Sequence, residues 1–200
     1  MKDYYYDKLL NIHTGGYQKE SHKSFHYHPY EPTQYSALEV LFSNYELKSS
    51  DRLVDFGCGK GRLNFYVNYF YDASVVGIEM DETFYQVAVE NRSSYLKKTK
   101  KSKDEVNFYC CLAEEYQIDP LENHFYFFNP FSKEIFMKII NKILLSSEQA
   151  EREIELILYY VSDDYIFFLE NDTSFELKEE ITLPAYKNDP YERFLIYRLN

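Results

Sequence analysis

Asp55, Gly57, Gly59 and Gly61 stand at alternate positions in Asp55-Phe-Gly-Cys-Gly-Lys-Gly61, and Glu79 follows about 20 residues after the first glycine, the interval at which a βαβ unit places its acidic residue. Glycines so spaced let a backbone take positive φ and come close to a ligand. A helix starting just after them offers unpaired N–H groups to the same ligand. A carboxylate at the end of the neighbouring strand can accept both hydroxyls of a ribose. The chemistry of this set is the holding of an adenosine-type small molecule. A second stretch, Asn129-Pro130-Phe131, closes an apolar run. The Asn129 amide oxygen and the Pro130 carbonyl can each accept a hydrogen from a planar amino group. That leaves the nitrogen lone pair aimed at an electrophile, while Phe131 offers a ring for a flat substrate to stack on.

The elements that must position these residues are legible from hydrophobic spacing. Leu53 to Phe56 reads as a short strand, and Leu63, Tyr66, Val67 and Phe70 recur at helical intervals after the glycines. Ser74 to Glu79 is a second strand, followed by a helix that Asp81 caps, with Phe84, Val87, Ala88 and Tyr95 inward. Val106 to Cys110 is a third. The fourth runs from His124 to Asn129 and gives way to a helix capped by Ser132, with Ile135, Phe136, Ile139 and Ile143 on its inner face. Ile154 to Val161 is a fifth strand, and Asp163 to Glu170 a short helix. Residues 175–183 and 192–199 form a late antiparallel pair. Alternating strands and helices predict an α/β fold: a seven-stranded, mostly parallel sheet with one reversed strand and helices on both faces. Before the first strand, Thr33 is placed to cap a helix whose inner face is Tyr35, Leu38, Leu41, Phe42 and Tyr45. Residues 1–32 show no clean period and read as an irregular N-terminal arm or lid, with room for one short helix. Residues 33–200 form the domain proper.

Composition narrows the function classes. A chain of 200 residues with 45% hydrophobic and 28% charged content can bury a sizeable core. A net charge of −11 argues against a generally polyanion-binding surface, although Lys2, Lys8, Lys19, Lys23 and, more distantly, Lys48 leave phosphate contact open. Lys97, Lys98, Lys100, Lys101 and Lys103 close the helix that begins after Glu79. They suit a helix C-terminus and read as a solvated face remote from the ligand. No apolar run reaches the length of a membrane span. Cys58, Cys110 and Cys111 lack metal-ligand spacing and fit thiols in a reducing, cytoplasmic setting. His22 and His26 would share a helix face and His28 precedes a proline. No cysteine or carboxylate completes a ligand set with them, so they read as surface or lid residues, and no metal is expected.

Two familiar glycine motifs do not fit. A dinucleotide turn would put its third glycine where Arg62 stands, and a P-loop would follow its lysine with Ser or Thr where Gly61 stands. The run Asp55-x-Gly57-x-Gly59-x-Gly61 resembles motif I of the class I (Rossmann-like) S-adenosylmethionine-dependent methyltransferases. Asn129-Pro130-Phe131 resembles, with one proline instead of two, the motif IV of members that methylate amino groups. The resemblance implies a methyltransferase acting on an amino-type nitrogen with S-adenosylmethionine as cofactor. Asp55, Gly57, Cys58, Gly59 and Gly61 would then line the methionine end, Glu79 would hold the ribose, Met80 would lie against adenine, and Ala113 and Glu114 would bound the ring. Asn129, Pro130 and Phe131 would position the acceptor. The acid usual after the third strand is replaced by Leu112. Two other readings stand beside this one: a non-catalytic cofactor-binding sensor or partner subunit, and a nicotinamide oxidoreductase, which Arg62 weakens. The acceptor itself, whether protein, small molecule or nucleic acid, is not written in the sequence.

Overall fold

A computed structural model describes residues 2–16 and 31–199 of the chain. Helix α1 (Lys2–Leu10) and helix α2 (Tyr35–Asn44) precede strand β1 (Arg52–Phe56). There follow α3 (Arg62–Tyr71), β2 (Ser74–Glu79), α4 (Glu82–Thr99), β3 (Val106–Cys110) and β4 (His124–Phe128). The chain ends with α5 (Lys133–Gln149), β5 (Ile154–Tyr159), α6 (Asp163–Asp172), β6 (Glu176–Thr182) and β7 (Arg193–Leu199). The strands form one sheet in the order β3-β2-β1-β4-β5-β7-β6. β1 pairs in parallel with β2 and β4, β2 with β3, and β4 with β5, while β7 runs antiparallel to both β5 and β6. This is the seven-stranded sheet with one reversed strand that the spacing predicts. No helix among the described residues is long and apolar enough to cross a membrane.

Because side chains alternate along a strand, the sheet sorts its residues onto two faces. Val54, Phe56, Phe125, Phe127, Leu156 and Leu158 pack with α5 and α6. Leu53, Val75, Tyr126, Ile157 and Tyr159 pack with α1, α2, α3 and α4 on the other face. The central strands are buried on both sides, which is why they read as continuous apolar runs and not as alternating ones.

One expectation is corrected here. Thr33 is not the cap of α2; Gln34 takes that position, and the buried Thr33 hydroxyl shares a 2.7 Å hydrogen bond with the Tyr126 phenol. Within residues 2–16 the one short helix for which the arm left room is α1, and Leu10 and Ile12 are buried in the same core as α2 and α3. The lysine tract is largely exposed, as expected, and it also reaches neighbouring helices: Lys98 Nζ donates to the Lys8 carbonyl at 2.8 Å, and Lys101 Nζ donates to the Asn68 carbonyl at 3.0 Å and meets Asp72. These carbonyls belong to the last turns of α1 and α3, so the cations sit where neighbouring helix dipoles are negative. His22, His26 and His28 lie outside the described residues.

Candidate functional site

The strand order reverses direction between β1 and β4, and at such a switch point a crevice opens above the C-terminal ends of the strands. The glycine turn stands on one side of it. Gly57 N and Cys58 N both donate to the Ile78 carbonyl, at 2.9 and 3.0 Å, tying the turn to the end of β2. Gly61, at φ 83°, is the N-cap of α3, and a Cβ there would come within 2.6 Å of the Phe108 ring. Only glycine meets both demands.

Glu79 joins three elements. One carboxylate oxygen accepts from Gly59 N at 2.8 Å and the other from Asp81 N at 2.8 Å. Asp81 in turn caps α4 by accepting from Thr83 N and Phe84 N. The carboxylate is thus oriented by two backbone donors and keeps further lone pairs for a ligand. Burial pushes its pKa above the usual carboxylate range, against those two hydrogen bonds. Asp55 lies on the same face of the sheet, buried at 5% exposure. Burial, and then the charge of Glu79, hold its carboxyl well above the ordinary value. Burial also raises the Cys58 thiol, with Asp55 and Glu79 adding to it, so Cys58 is a packed neutral thiol. The site holds two buried acids side by side, an arrangement that a positively charged ligand would relieve.

Across the crevice, β4 stops at Phe128 because Asn129 turns the chain with φ 36°. Pro130 then lies directly against the glycine turn, where a Cβ added to Gly57 (φ 83°) would stand 3.0 Å from Pro130 Cβ. The two motifs, far apart in sequence, therefore form facing walls. Phe131 does not serve as a stacking surface. Its ring is 4% exposed in the core shared with Phe127 and Phe136, and its carbonyl accepts from the Tyr165 hydroxyl at 2.7 Å. On the side expected for adenine, Met80 is 41% exposed, Ala113 is buried, and Glu114 lies in the short 3-10 turn Ala113–Glu115.

Sequence reasoning missed a buried cation at the start of α3. Arg62, read only as the residue that rules out a dinucleotide turn, is 4% exposed. Its Nε donates to Thr14 Oγ1 at 2.8 Å, a terminal nitrogen donates to the Thr33 carbonyl at 3.3 Å, and its guanidinium stacks 4.5 Å from the Tyr35 ring centroid. Asp7 accepts from Thr14 N, from Thr14 Oγ1 and from the Tyr35 hydroxyl. Lys60 Nζ donates to the Gly15 carbonyl at 2.6 Å. Residues 14–15 and Thr33 are thereby fastened to the start of α3. A buried arginine one residue after a helix-starting glycine was the one available signal. Tyr126 also went unremarked; it pairs in register with Asp55 and holds Thr33.

No protein-family model matches the chain, and no curated protein does. Solved structures do. The RNA methyltransferase of Salinibacter ruber, in complex with S-adenosyl-L-homocysteine, gives a TM-score of 0.55 at 17% identity over 84% of this chain and 92% of that one. Phosphoethanolamine N-methyltransferase 1 of Haemonchus contortus, with phosphoethanolamine and S-adenosylhomocysteine, gives 0.61 at 14% identity over 82% of this chain and 42% of that one. The chain has the class I methyltransferase fold. Magnesium protoporphyrin IX methyltransferase of Synechocystis, with bound SAM, is a third neighbour at 0.54 and 16% identity, over 83% of this chain and 76% of that one. Acceptors differ widely among these neighbours, and the likeness carries the fold alone.

Proposed function

We propose that this chain is an S-adenosylmethionine-dependent methyltransferase acting on an amino-type nitrogen. The observation that carries the reading is the 3.0 Å approach of the Gly57 position to Pro130, which brings the glycine turn and the Asn-Pro turn into one crevice. The buried pair Asp55 and Glu79 fits a cofactor that brings positive charge at its ammonium and sulfonium. Asp55 would receive the ammonium, Gly57, Cys58, Gly59 and Gly61 would line the methionine end, and Glu79 would take the ribose hydroxyls. Met80, Ala113 and Glu114 would border the adenine. The cofactor supplies a methyl group that is already strongly electrophilic. What remains for the protein is to align an acceptor nitrogen and keep its lone pair free. The Asn129 side-chain oxygen and the Pro130 carbonyl would accept the two amino hydrogens, leaving the lone pair directed across the crevice toward the glycine turn.

The test is calorimetry with S-adenosylhomocysteine combined with transfer of labelled methyl to cell extract. Wild type binds and transfers. Asn129→Ala binds with similar affinity and loses transfer by about 100-fold, as expected for a lost alignment. Label transfer undiminished in Asn129→Ala overturns the assignment of the acceptor turn. Binding without transfer to any fraction makes the chain a cofactor-binding module, and absence of binding removes the proposal.

A further inference from the structure

Beside Asn129 the structure builds a rim that the alignment of the nitrogen does not use. β4 and β5 pair Phe128 with Tyr159, so Asn129 and Tyr160 lie abreast, both with positive φ, 36° and 52°. The Phe128 ring lies 4.5 Å from that of Tyr159 and 6.5 Å from that of Tyr160, and Tyr160 lies 5.6 Å from Tyr191. Phe128 and Tyr160 are half-buried and Tyr191 is exposed. Around these rings stand carboxylates. The Tyr160 hydroxyl donates to Asp189 at 2.7 Å and the Tyr159 hydroxyl to Glu192 at 2.9 Å. Glu31 is exposed. The Tyr160 phenol is raised by its hydrogen bond to Asp189, by burial and by the charges of Asp189, Glu192 and Glu31; burial leads for Tyr159, followed by Glu192 and then Glu31.

Of the cations next in sequence to Asp189 and Glu192, one is engaged elsewhere. Arg193 is turned to Glu180 at 2.8 Å, and Lys187 is exposed on the loop before β7. The lysines from 97 to 103 follow the C-terminal end of α4, which starts beside Glu79 and runs back to the opposite edge of the sheet. Exposed ring faces attract cations through their quadrupoles, and three carboxylates attract them by charge. Both features repel phosphate.

Resting on the methyl-transfer reading, we propose that the acceptor-bearing molecule is cationic: an alkylammonium or guanidinium group held by Phe128, Tyr160 and Tyr191 together with Glu31, Asp189 and Glu192. The group held is a positive charge neighbouring the acceptor nitrogen, which itself must be neutral to attack. The new N–C bond forms as the S–C bond breaks, and the displaced proton leaves the nitrogen for water. A basic polypeptide segment and a free polyamine share this chemistry.

Fluorescence anisotropy on the full chain, with S-adenosylhomocysteine present and at 0.15 M salt, tests the proposal. The probes are labelled octalysine, labelled octaglutamate and a labelled single-stranded RNA, with spermidine as competitor. Octalysine binds in preference to the other two. Glu31→Lys, a change at an exposed position, weakens it by about 10-fold or more while leaving affinity for S-adenosylhomocysteine unchanged. The pair Asp189→Asn and Glu192→Gln acts in the same direction. Displacement by spermidine at low concentration marks a free amine as the source of the cation, and resistance to it marks a polypeptide. Tighter binding of the RNA, or octalysine affinity untouched by Glu31→Lys, overturns the proposal. Were S-adenosylhomocysteine not bound, the methyl-transfer reading would fall, yet octalysine binding sensitive to Glu31→Lys would still establish a cation site. Cofactor binding without octalysine binding removes only the cationic acceptor.

Discussion

Replacing Gly57 by alanine tests whether the two motifs meet as described. The backbone there has φ 83°, and a non-glycine residue in the left-handed region costs about 1–2 kcal/mol. The added methyl stands 3.0 Å from Pro130 Cβ and 3.6 Å from Pro130 Cγ, against an ordinary carbon–carbon separation of about 3.5–4.0 Å. Pro130 must yield by roughly half an ångström, and overpacking of this size costs about 1–3 kcal/mol. The two contributions sum to about 2–5 kcal/mol, a fall in melting temperature of roughly 4–20 °C for a chain of this size. Gly15→Ala is the control, since a Cβ there meets nothing within 4 Å, and its change should stay within about 0.5 kcal/mol. Melting of both variants is followed by fluorescence, with urea titration for the free energies. Pro130→Gly is added to Gly57→Ala to complete a double-mutant cycle, whose coupling should be about 0.5–3 kcal/mol. A Gly57→Ala chain that melts within 1 °C of wild type, or a coupling of zero, refutes the contact and with it the single crevice.

Three further outcomes are expected. Because burial and Glu79 raise the folded-state pKa of Asp55, its protonated form favours the fold. That contribution is complete below about pH 4 and declines as the pH rises through the folded-state value. Asp55→Asn should therefore raise the melting temperature of the ligand-free chain at neutral pH and flatten its pH dependence above about pH 4. Affinity for S-adenosylhomocysteine should fall at the same time; a lower neutral-pH melting temperature contradicts the argument. Arg62→Ala removes the donors to Thr14 Oγ1 and the Thr33 carbonyl and the stacking on Tyr35, so urea denaturation should show a loss of about 2–4 kcal/mol. Arg62→Lys should recover little of it, because the planar fork is gone. Asn129→Gly should leave stability within about 1 kcal/mol of wild type, since glycine accepts the positive φ. Methyl transfer should nonetheless be lost for want of the amide oxygen, as labelled-methyl assays will show.

Much of the architecture is local and therefore legible in a single chain. Ser74–Glu79 and Val106–Cys110 are strands at the limits their apolar runs mark, and Asp81 caps α4 as its type and place suggest. Gly57, Gly59 and Gly61 all adopt positive φ, the conformation that makes glycine worth its entropic cost. These features depend on neighbours a few residues away.

What tertiary structure alone decided are the pairings across long separations, which leave no periodic trace. Thr33 looks like a cap until the Tyr126 hydroxyl is found beside it, and Phe131 looks available until its ring is seen packed with Phe127 and Phe136. Arg62 reads as an interruption of a motif, and only the folded chain makes it the fastening between residues 14 and 33. The same holds for the site as a whole. The amino-acid sequence by itself determined a glycine turn, an acidic strand end and an Asn-Pro turn, because each is set by its own backbone. That Gly57 stands against Pro130, and that Asp189 and Glu192 receive the Tyr160 and Tyr159 hydroxyls, follows from strand order and register. Those are properties of the assembled sheet and not of any one segment.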